Sequence, residues 1–409
     1  MASVRATVGF INAAHSLTHY SLLILPTAVL AMARPGGGFG AEYGPILALA
    51  TGGFVLYGLF ALPQGWLAQR VGRRNLMTAF FFGAGLSMIA SGFAATPMML
   101  ALTLGATGLF VAIYHPVGTA LLVEVSGDQP GRAIGLNGVF GNVGVALAPM
   151  MTAFFAAQAG WQWAFIVPGI ACALLGVWWV RLPVSDGKVT KSARPFPKIP
   201  PAIVRRVVIV LLVIAAVSGL VFNAFTLLIP KLMQERLAGD PALLPLAGVA
   251  ATVATLCGAA TQLTVGRLID RMTLKRLFMP FAIVLIPALL GLALAPGWLV
   301  LPFAGAVAAV VFGQVTVNET MTARYISPEL RTKMYSIRFF VGFLGSAAAP
   351  GIIGYLHERT GNLAASVLVL AGFALVTLCC ALAFPNRREE LAPELWERAE
   401  PAAVPVAAE

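Results

Sequence analysis

The sequence predicts an all-α membrane protein with twelve transmembrane helices in two pseudo-symmetric six-helix bundles, and three observations carry this prediction. Hydrophobic residues make up 59% of the 409 residues and charged residues only 11%, which leaves too little polar surface for a soluble globule of this length. Long apolar runs recur along the chain, each near the ~20 residues that a helix needs to cross the hydrocarbon core. One loop motif also occurs twice.

The apolar runs set the order of the predicted helices. Those of the first half lie near residues 8–32, 44–64, 75–95, 97–123, 133–157 and 161–181. Those of the second half lie near residues 206–230, 243–265, 276–296, 298–323, 334–356 and 363–384. These runs predict an N-terminal bundle over residues 1–181 and a C-terminal bundle over residues 206–385.

Two polar stretches lie outside the predicted bundles. In residues 182–205, lysines, arginines and several prolines replace the apolar residues, which predicts a cytoplasmic linker between the bundles. Residues 386–409 are rich in Glu and Ala, and we expect a solvated cytoplasmic tail there with a short helix at most.

Lysine and arginine fall unevenly on the two sides of the predicted bundles. One side collects basic residues in its loops, the linker and the tail, whereas the other has only Arg34, Lys231, Arg236 and Arg359. Because short loops rich in Lys and Arg stay cytoplasmic, we expect a multi-pass protein of the cell's inner (plasma) membrane with both termini cytoplasmic. The net charge of +11 then reflects orientation in a membrane, and the short basic clusters argue against nucleic-acid binding.

One loop occurs in both halves. The segment from Gly65 to Arg74, after the second span, recurs after the eighth span from Gly266 to Lys275, 201 positions later. Glycines and a proline of the fifth and eleventh spans repeat at the same spacing, which predicts two parallel repeats. The loop positions of interest are Gly65, Arg70, Arg73 and Arg74 in the first half and Gly266, Asp270 and Arg271 in the second.

This Gly-x-Leu-x-Asp-Arg-x-Gly-Arg-Arg loop resembles the signature of the major facilitator superfamily. The resemblance covers nearly the whole chain and implies a transporter of two six-helix bundles. In that family the loop holds one conformation, with its acid against a neighbouring helix end. The first half departs from the pattern at Gln69, whereas Asp270 keeps the acid in the second half. The alternative interpretation is that the loop arginines only follow the positive-inside rule.

The fifth span carries a glycine at every third residue. Gly135, Gly138, Gly141 and Gly144 precede Pro149. Small residues at this spacing let helix backbones approach closely, which favours a role in helix packing. The alternative is the Gly-rich gating motif that antiporters of the superfamily carry on this helix.

Three polar residues share one face of the first predicted helix. Asn12, His15 and His19 are spaced three and four residues apart. Because ionisable groups inside a span are costly, we expect this face to line the path of the substrate or of protons. Hydrogen bonding between helices is the structural alternative. Neither an acid nor a cysteine accompanies the two histidines, so we predict no metal site.

A third histidine precedes a proline in the fourth span. Pro116 removes a backbone hydrogen bond and is expected to kink the helix near His115. The His-Pro-x-Gly run, with His15 and the segment around Asn142, resembles the fosmidomycin-resistance branch of the superfamily. That resemblance implies proton-driven efflux, with His115 and Asn142 on the path. The acid that this branch carries one turn after the first-helix histidine is His19 here.

One acid and one arginine lie inside predicted spans of the second half. Glu319 stands five residues before Arg324, and Arg338 stands five residues after Lys333, so both lie about 7.5 Å from the same membrane face. They are interpreted either as a structural or gating ion pair, or as a proton-carrying or substrate-binding Glu319 beside an arginine. Asn223, in the seventh span, is a further candidate for the path.

These features together favour secondary transport of a small organic compound by alternating access. Proton-coupled efflux is the leading hypothesis, and proton-coupled uptake of an organic anion is the alternative. No Gly-x4-Gly-Lys-Ser/Thr loop occurs, so the sequence gives no sign of an ATP-driven motor. We expect no enzymatic activity and no cofactor. The expected partners are the substrate, protons and membrane lipid, and the protein is expected to be a monomer.

Overall fold

The described chain is helical from end to end, as a bilayer requires. A computed structural model describes residues 2–34, 39–40, 42–126, 130–183, 196–237, 243–392 and 395–398, and contains no strand within those ranges. Because hydrocarbon offers no hydrogen-bond partner, backbone N–H and C=O groups must pair within the spanning segment, and a helix does this locally. The predicted all-helical membrane fold is confirmed.

The first half contains ten α-helices in the described ranges. Their bounds are α1 (Ala2–Leu22), α2 (Ile24–Met32), α3 (Tyr43–Ala48), α4 (Thr51–Ala61), α5 (Gln64–Val71), α6 (Arg73–Gly92), α7 (Pro97–Val111), α8 (Thr119–Val125), α9 (Pro130–Gln158) and α10 (Trp161–Trp179). A π-helical segment, Tyr114–Gly118, joins α7 to α8. Pro116 has no N–H for an ordinary helical turn, and the predicted kink takes the form of this widened turn.

The second half consists mostly of longer helices. Their bounds are α11 (Pro201–Leu237), α12 (Leu244–Leu268), α13 (Leu274–Leu294), α14 (Val300–Tyr325), α15 (Pro328–Ser346), α16 (Ala349–Thr360), α17 (Ala364–Ala383) and a short α18 (Leu395–Arg398). The predicted linker falls largely on residues 184–195, outside the described ranges, and α11 begins at Pro201, inside the range predicted for that linker.

Eleven helical segments of the described chain are long and apolar enough to cross a membrane. The first predicted run, near residues 8–32, is absent from this set because it is divided between α1 and α2 at Leu23. Its longer part, α1, also carries Arg5, Asn12 and two histidines, which lower its mean hydropathy. The expected count of twelve therefore depends on whether α1 and α2 cross together.

The two halves meet mainly along three helix pairs, α3 with α16, α4 with α15 and α9 with α12, and α2 also contacts α11. Small residues allow these contacts. A Cβ added at Gly44 would lie 2.7 Å from the carbonyl oxygen of Gly354, and one at Gly248 would lie 2.7 Å from that of Pro149. Thr252 Oγ1 on α12 donates to a carbonyl of α9 at 2.6 Å. Close backbone approach gives helices in lipid the packing that hydrophobic burial alone cannot supply.

The glycines of α9 divide into two pairs with different surroundings. A Cβ at Gly144 would lie 2.1 Å from the backbone oxygen of Ser16, and one at Gly141 would lie 2.5 Å from the ring of His15, both on α1. A Cβ at Gly135 or Gly138 would meet nothing within 4 Å. Helix packing therefore explains only the second pair of this glycine series.

The tail folds onto the second half, so the expectation of a solvated extension is wrong for its first part. Glu390 is only 6% exposed; its carboxylate accepts hydrogen bonds from the Leu274 backbone N–H and the Tyr325 hydroxyl. Arg324 Nη1 lies 3.8 Å from the same carboxylate. Trp396 is buried with its ring 6.0 Å from that of Tyr325. Glu390 and Trp396 thus contact residues at the helix ends, and the sequence alone did not indicate these contacts.

We predict that Gly144→Ala destabilises the protein and that Gly138→Ala does not. The new methyl group at position 144 must push α1 away from α9, at a cost of about 1–3 kcal/mol in the free energy of unfolding. At position 138 it meets open space, and Ala stabilises a helix by about 0.5–1 kcal/mol relative to Gly. Thermal unfolding of both variants in the same detergent measures the difference. Equal melting temperatures would contradict the close contact.

We predict a pH-dependent contribution of Glu390 to stability. Burial raises the pKa of its carboxyl above the ordinary value of 4.5, although its hydrogen bonds and Arg324 oppose the rise. The fold therefore favours the protonated form, so this contribution is complete below pH 4.5 and declines as pH rises through the raised pKa.

Melting temperatures measured from pH 4.5 upwards test this expectation. Glu390→Gln keeps a neutral side chain at every pH and should remove this part of the pH dependence. Glu389→Gln, at the neighbouring partly exposed position, serves as the control and should keep it. Identical pH profiles for the wild-type protein and Glu390→Gln would argue against the assignment.

Candidate functional site

Three histidines from two helical segments meet inside the first half. His15 and His19 lie one turn apart on α1, and His115 lies in the π-helical segment. One ring nitrogen from each histidine lies within 4.8 Å of those of the other two, and the Nε2 atoms of His15 and His19 are 3.2 Å apart. The sequence placed His15 and His19 on one face, but only the packing of the fourth span against the first adds His115.

The histidine rings form a compact aromatic group with Tyr114. The ring of His15 stacks on that of Tyr114 at 4.8 Å between centroids and lies edge-on to that of His115 at 5.3 Å. His19 contacts His115 in a similar edge-on arrangement at 5.4 Å. All three histidines are half-buried, so each keeps part of its surface accessible within the bundle.

Asn137 of α9 holds this group together, and the sequence analysis missed it. Its Nδ2 donates to Asn12 Oδ1 at 2.9 Å, and its Oδ1 accepts from the Tyr114 hydroxyl at 2.9 Å. Its backbone oxygen lies 2.7 Å from His15 Nδ1. Asn137 stands four residues before Gly141 and is therefore on the same face of α9. That spacing was the signal that could have identified it.

These hydrogen bonds fix the tautomer of His15. A backbone carbonyl can only accept, so His15 Nδ1 must carry the proton that is donated to Asn137. In the neutral ring, Nε2 of His15 is then an acceptor, and His19 donates to it from its own Nε2. The Nε2 atom of His115 is buried without any hydrogen-bond partner among the described residues.

The second half reaches the cluster through α15. The ring of Phe339 stacks on that of His115 at 5.1 Å, and Phe343 packs edge-on against Tyr57 at 4.3 Å. Asn142 on α9 donates a hydrogen bond to Gln262 on α12, again across the boundary between the halves. The histidine cluster and Asn142 therefore both lie where the two halves meet.

The remaining candidates belong to contacts within the second half. Arg338 Nη2 lies 3.5 Å from Glu319 Oε1, and its Nη1 donates to Thr322 Oγ1 at 2.6 Å. The arginine side chain is 10% exposed and the glutamate 41%. Asn223 donates to Ser346 Oγ at 3.0 Å and to the Gly219 carbonyl, a hydrogen-bonding pattern that joins α11 to α15.

In the first half, the arginines of the repeated loop each contact a different group. Arg70 lies over the ring of Trp66 at 4.1 Å, and Arg73 pairs with Glu124 near the end of α8. Arg74 donates to the backbone oxygen of Val180 at 2.7 Å. A side chain at Gly65 would meet nothing within 4 Å. The family pattern has an acid at position 69, but this chain has Gln69 there. The acid that contacts the loop in this half is instead Glu124, from the end of a neighbouring helix.

The second copy of the loop makes contacts with a different set of residues. Asp270 lies 3.9 Å from Arg324 but is 85% exposed, while Arg324 donates to the Ile269 backbone oxygen at 2.7 Å. Arg271 follows in the same exposed turn, and Gly266 has open space around it.

The repeat spacing relates the contacts of the tail in the second half to an ion pair in the first half. Arg73 corresponds to Leu274 and Glu124 to Tyr325, so the ion pair of the first half has no equivalent. Glu390 binds both replacements, the backbone N–H of Leu274 and the hydroxyl of Tyr325. A carboxylate from the tail thus takes the place that Glu124 holds in the first half.

Eleven apolar helical segments in two contacting halves, with a polar cluster at their boundary, define a multi-pass helical membrane protein. The chain matches the Major Facilitator Superfamily over residues 14–249 and 232–407. It therefore belongs to the major facilitator superfamily.

Known relatives are similar only over part of their length. A gallate transporter of Pseudomonas putida is 27% identical over 168 residues, which is 40% of this chain and 36% of the relative. A puromycin resistance protein of Streptomyces alboniger is 29% identical over 150 residues, or 36% of this chain and 28% of the relative. The matched segments thus span 36% and 28% of the length of these curated relatives.

Solved structures agree over almost the whole chain. The inward open conformation of the xylose transporter XylE from E. coli covers 96% of this chain and 100% of its own, with a TM-score of 0.73 and 14% identity. A bacterial homolog of the human lysosomal transporter Spinster, inward-facing and unoccupied, covers 98% of this chain and 99% of its own, with a TM-score of 0.68 and 12% identity. At these identities the similarity concerns the fold alone.

We predict that Asn137→Ala destabilises the protein more than Tyr114→Phe. The first change leaves the buried Asn12 amide and the Tyr114 hydroxyl without their partner, at about 1–3 kcal/mol for each unsatisfied group. The second removes one hydrogen bond but keeps the ring that stacks on His15, at about 0.5–1.5 kcal/mol. Thermal unfolding of both single variants and the double variant measures this. Because the two changes share one hydrogen bond, an additive double variant would contradict the network.

Proposed function

We propose that this protein is a secondary active transporter that moves a small organic compound by alternating access, with proton-coupled efflux as its direction and mode. The observation that carries the proposal is the contact of His115, in the histidine cluster of the first half, with Phe339 of the second half. Alternating access opens and closes the boundary between the halves around a site near the middle of the membrane. A site of this kind needs polar groups at that boundary, and the histidine cluster supplies them.

Histidine suits proton coupling because its charge changes near neutral pH. The hydrogen bond between His15 and His19 requires a neutral His15, because its Nε2 must accept from His19. A proton on Nε2 of His15 removes this acceptor, and protonation of both rings places two like charges next to each other. Protonation therefore bears directly on the contact of α1 with its neighbours, and α1 packs along α9.

The proposed arrangement is two parallel repeats of six spans. In it, α1 and α2 together form the first span, which brings the eleven other spans to twelve. The close contacts support it. Gly345 of α15 lies near the Ala216 carbonyl of α11, where an added Cβ would be 3.4 Å away. Gly144 of α9 lies near Ser16 of α1. The two glycines are 201 residues apart and each packs against the first helix of its half.

The basic loops support the proposed orientation. The repeated Arg-rich loops and the tail lie at one end of the bundles, and the positive-inside rule makes that end cytoplasmic, with both termini there. The halves touch at the opposite end, where Glu358 accepts a hydrogen bond from the Gly44 N–H at 2.9 Å. We take the conformation to be open towards the cytoplasm, in the inner (plasma) membrane.

Ion pairs at the cytoplasmic end are the proposed switches between conformations. Arg73 with Glu124, and Arg324 with Asp270 and Glu390, fasten the loops within each half. The pairs of Arg73 with Glu124 and of Arg324 with Asp270 are partly exposed, so solvent can replace them at low cost when the halves move, whereas Glu390 is buried. Glu319 is the more exposed member of its pair with Arg338, which leaves it accessible to protons.

Uptake of an organic anion is the second candidate, and the relatives favour it. Three of them are named as a gallate transporter, a D-galactonate transporter and a probable hexose phosphate transport protein. These compounds carry a carboxylate or a phosphate. Arg338, whose side chain is 10% exposed, is a cation in the described spans that could attract such a group.

Flux in proteoliposomes with an imposed pH gradient tests the proposal. Labelled puromycin, gallate and galactonate serve as probes, because relatives are named for them. We expect gradient-driven flux of at least one probe, and its direction relative to the proton gradient separates efflux by exchange from uptake. No flux of any probe by the wild-type protein would count against the proposed transport, and flux insensitive to the gradient would count against proton coupling.

Variants separate the coupling group from the substrate site. A residue that carries the proton should lose the response to the gradient but keep substrate exchange at equal pH, whereas a substrate-binding residue should lose both. We expect His19→Ala to show the first pattern, with a fall of about 10²-fold in gradient-driven flux. Glu319→Gln tests the other candidate acid, and His357→Ala, outside the cluster, is the matched control.

A further inference from the structure

We propose that His15, His19 and His115 form a binding site for one divalent first-row transition metal ion, with Zn²⁺ as the representative ion. The sequence argued against a metal because neither an acid nor a cysteine accompanies the two histidines of the first helix. The fold supplies the third ligand from the fourth span. Three imidazoles without a thiolate form a known type of zinc site, in which the fourth position stays open.

The distance between the ring nitrogens of His15 and His19 fits this ion, and the third nitrogen lies within reach. Tetrahedral zinc with Zn–N bonds of about 2.0–2.1 Å places neighbouring ligand nitrogens about 3.3 Å apart. The Nε2 atoms of His15 and His19 are already 3.2 Å apart. The widest separation in the cluster is 4.8 Å, so the third nitrogen must approach by about 1.5 Å, which ring rotations can supply.

The hydrogen bonds around His15 are those expected of a metal ligand. A metal-binding imidazole usually donates its other ring N–H to a carboxylate or a backbone carbonyl, which fixes the ring and leaves the second nitrogen free to coordinate. His15 Nδ1 donates to the Asn137 carbonyl at 2.7 Å, so its Nε2 presents a lone pair to the cluster. Asn137 is itself held by Asn12 and Tyr114.

His115 provides an independent observation. Its Nε2 is buried and has no hydrogen-bond partner, although its ring touches those of both other histidines. Native proteins rarely leave a buried polar side-chain atom unsatisfied, and a bound ion is one of the recognised explanations. A bound metal would satisfy this nitrogen and would replace the single hydrogen bond between His15 and His19 with two coordination bonds.

The donor set determines the class of ion. Imidazole nitrogens suit Zn²⁺, Ni²⁺ and Cu²⁺, whereas Mg²⁺ and Ca²⁺ require oxygen ligands. The grouped ligands contain no carboxylate among the described residues. Each of the three histidines is half-buried as a whole residue. Because Phe339 of the second half stacks on His115, the bound ion would lie at the boundary between the halves.

Equilibrium binding tests this proposal without any transport step, so it can fail or succeed separately from the proposed function. The full chain is purified with an affinity tag that contains no histidine, treated with a chelator, and titrated calorimetrically with Zn²⁺. We expect one ion per chain with a Kd in the micromolar range or tighter. Mg²⁺ should not compete. Absence of saturable Zn²⁺ binding up to about 100 μM would overturn the site.

Variants locate the bound ion. His15→Ala, His19→Ala and His115→Ala should each weaken binding by about 10–100-fold or more. His357→Ala is the matched control, because this fourth histidine lies outside the cluster and pairs with Glu235 at 3.0 Å. Unchanged binding in all three cluster variants, or loss in His357→Ala, would overturn the proposal.

Cobalt spectra of the wild-type protein provide a readout that does not depend on any variant folding. Co²⁺ replaces Zn²⁺ in tetrahedral sites, and its visible absorption bands report ligand type and geometry. We expect bands typical of tetrahedral Co²⁺ with three nitrogen ligands and a fourth ligand such as water. One equivalent of Zn²⁺ should displace the Co²⁺ and remove these bands. A spectrum of hydrated octahedral Co²⁺ at saturating protein would contradict the site.

Discussion

Inside a bilayer every hydrogen-bonding group must find its partner within the protein, and the rest of this structure depends on that constraint. The backbone meets it by forming helices. Side chains meet it through a few residues that serve several partners at once, of which Asn137 is the best developed example. Its amide and its backbone oxygen connect the first, fourth and fifth spans through Asn12, Tyr114 and His15.

The same constraint links packing to the site. Lipid tails are as apolar as leucine side chains, so helices associate through close backbone contact rather than through hydrophobic burial. Gly144 brings α9 against α1, and Gly141 on the same face makes room for the ring of His15. The helix contact and the position of the histidine are therefore one feature. A larger residue at either position would displace the side chain on which the cluster is built.

Residues of the two halves that stand 201 positions apart differ in chemistry. At the repeat spacing, His15, His19 and His115 correspond to Ala216, Leu220 and Thr316, which carry no charge. Arg338 corresponds to Asn137, so both halves place a polar side chain at this position of the fifth or eleventh span. In the second half its partners are Glu319 and Thr322. The loops diverge in the same way, since Glu390 from the tail supplies the carboxylate that Glu124 supplies in the first half.

The sequence by itself predicted a membrane environment and a helical fold, because hydropathy along the chain encodes both. The spacing of its residues also showed the recurring loop and the polar residue types of the candidate site. It also placed Asn12, His15 and His19 on one helix face. Three features were decided only by the tertiary structure, namely the addition of His115, the role of Asn137 and the docking of the tail on Tyr325. Each depends on contacts between residues more than 20 positions apart in the chain. Spacing along one helix does not specify which helix packs against it, and that packing selects the partners of a polar group.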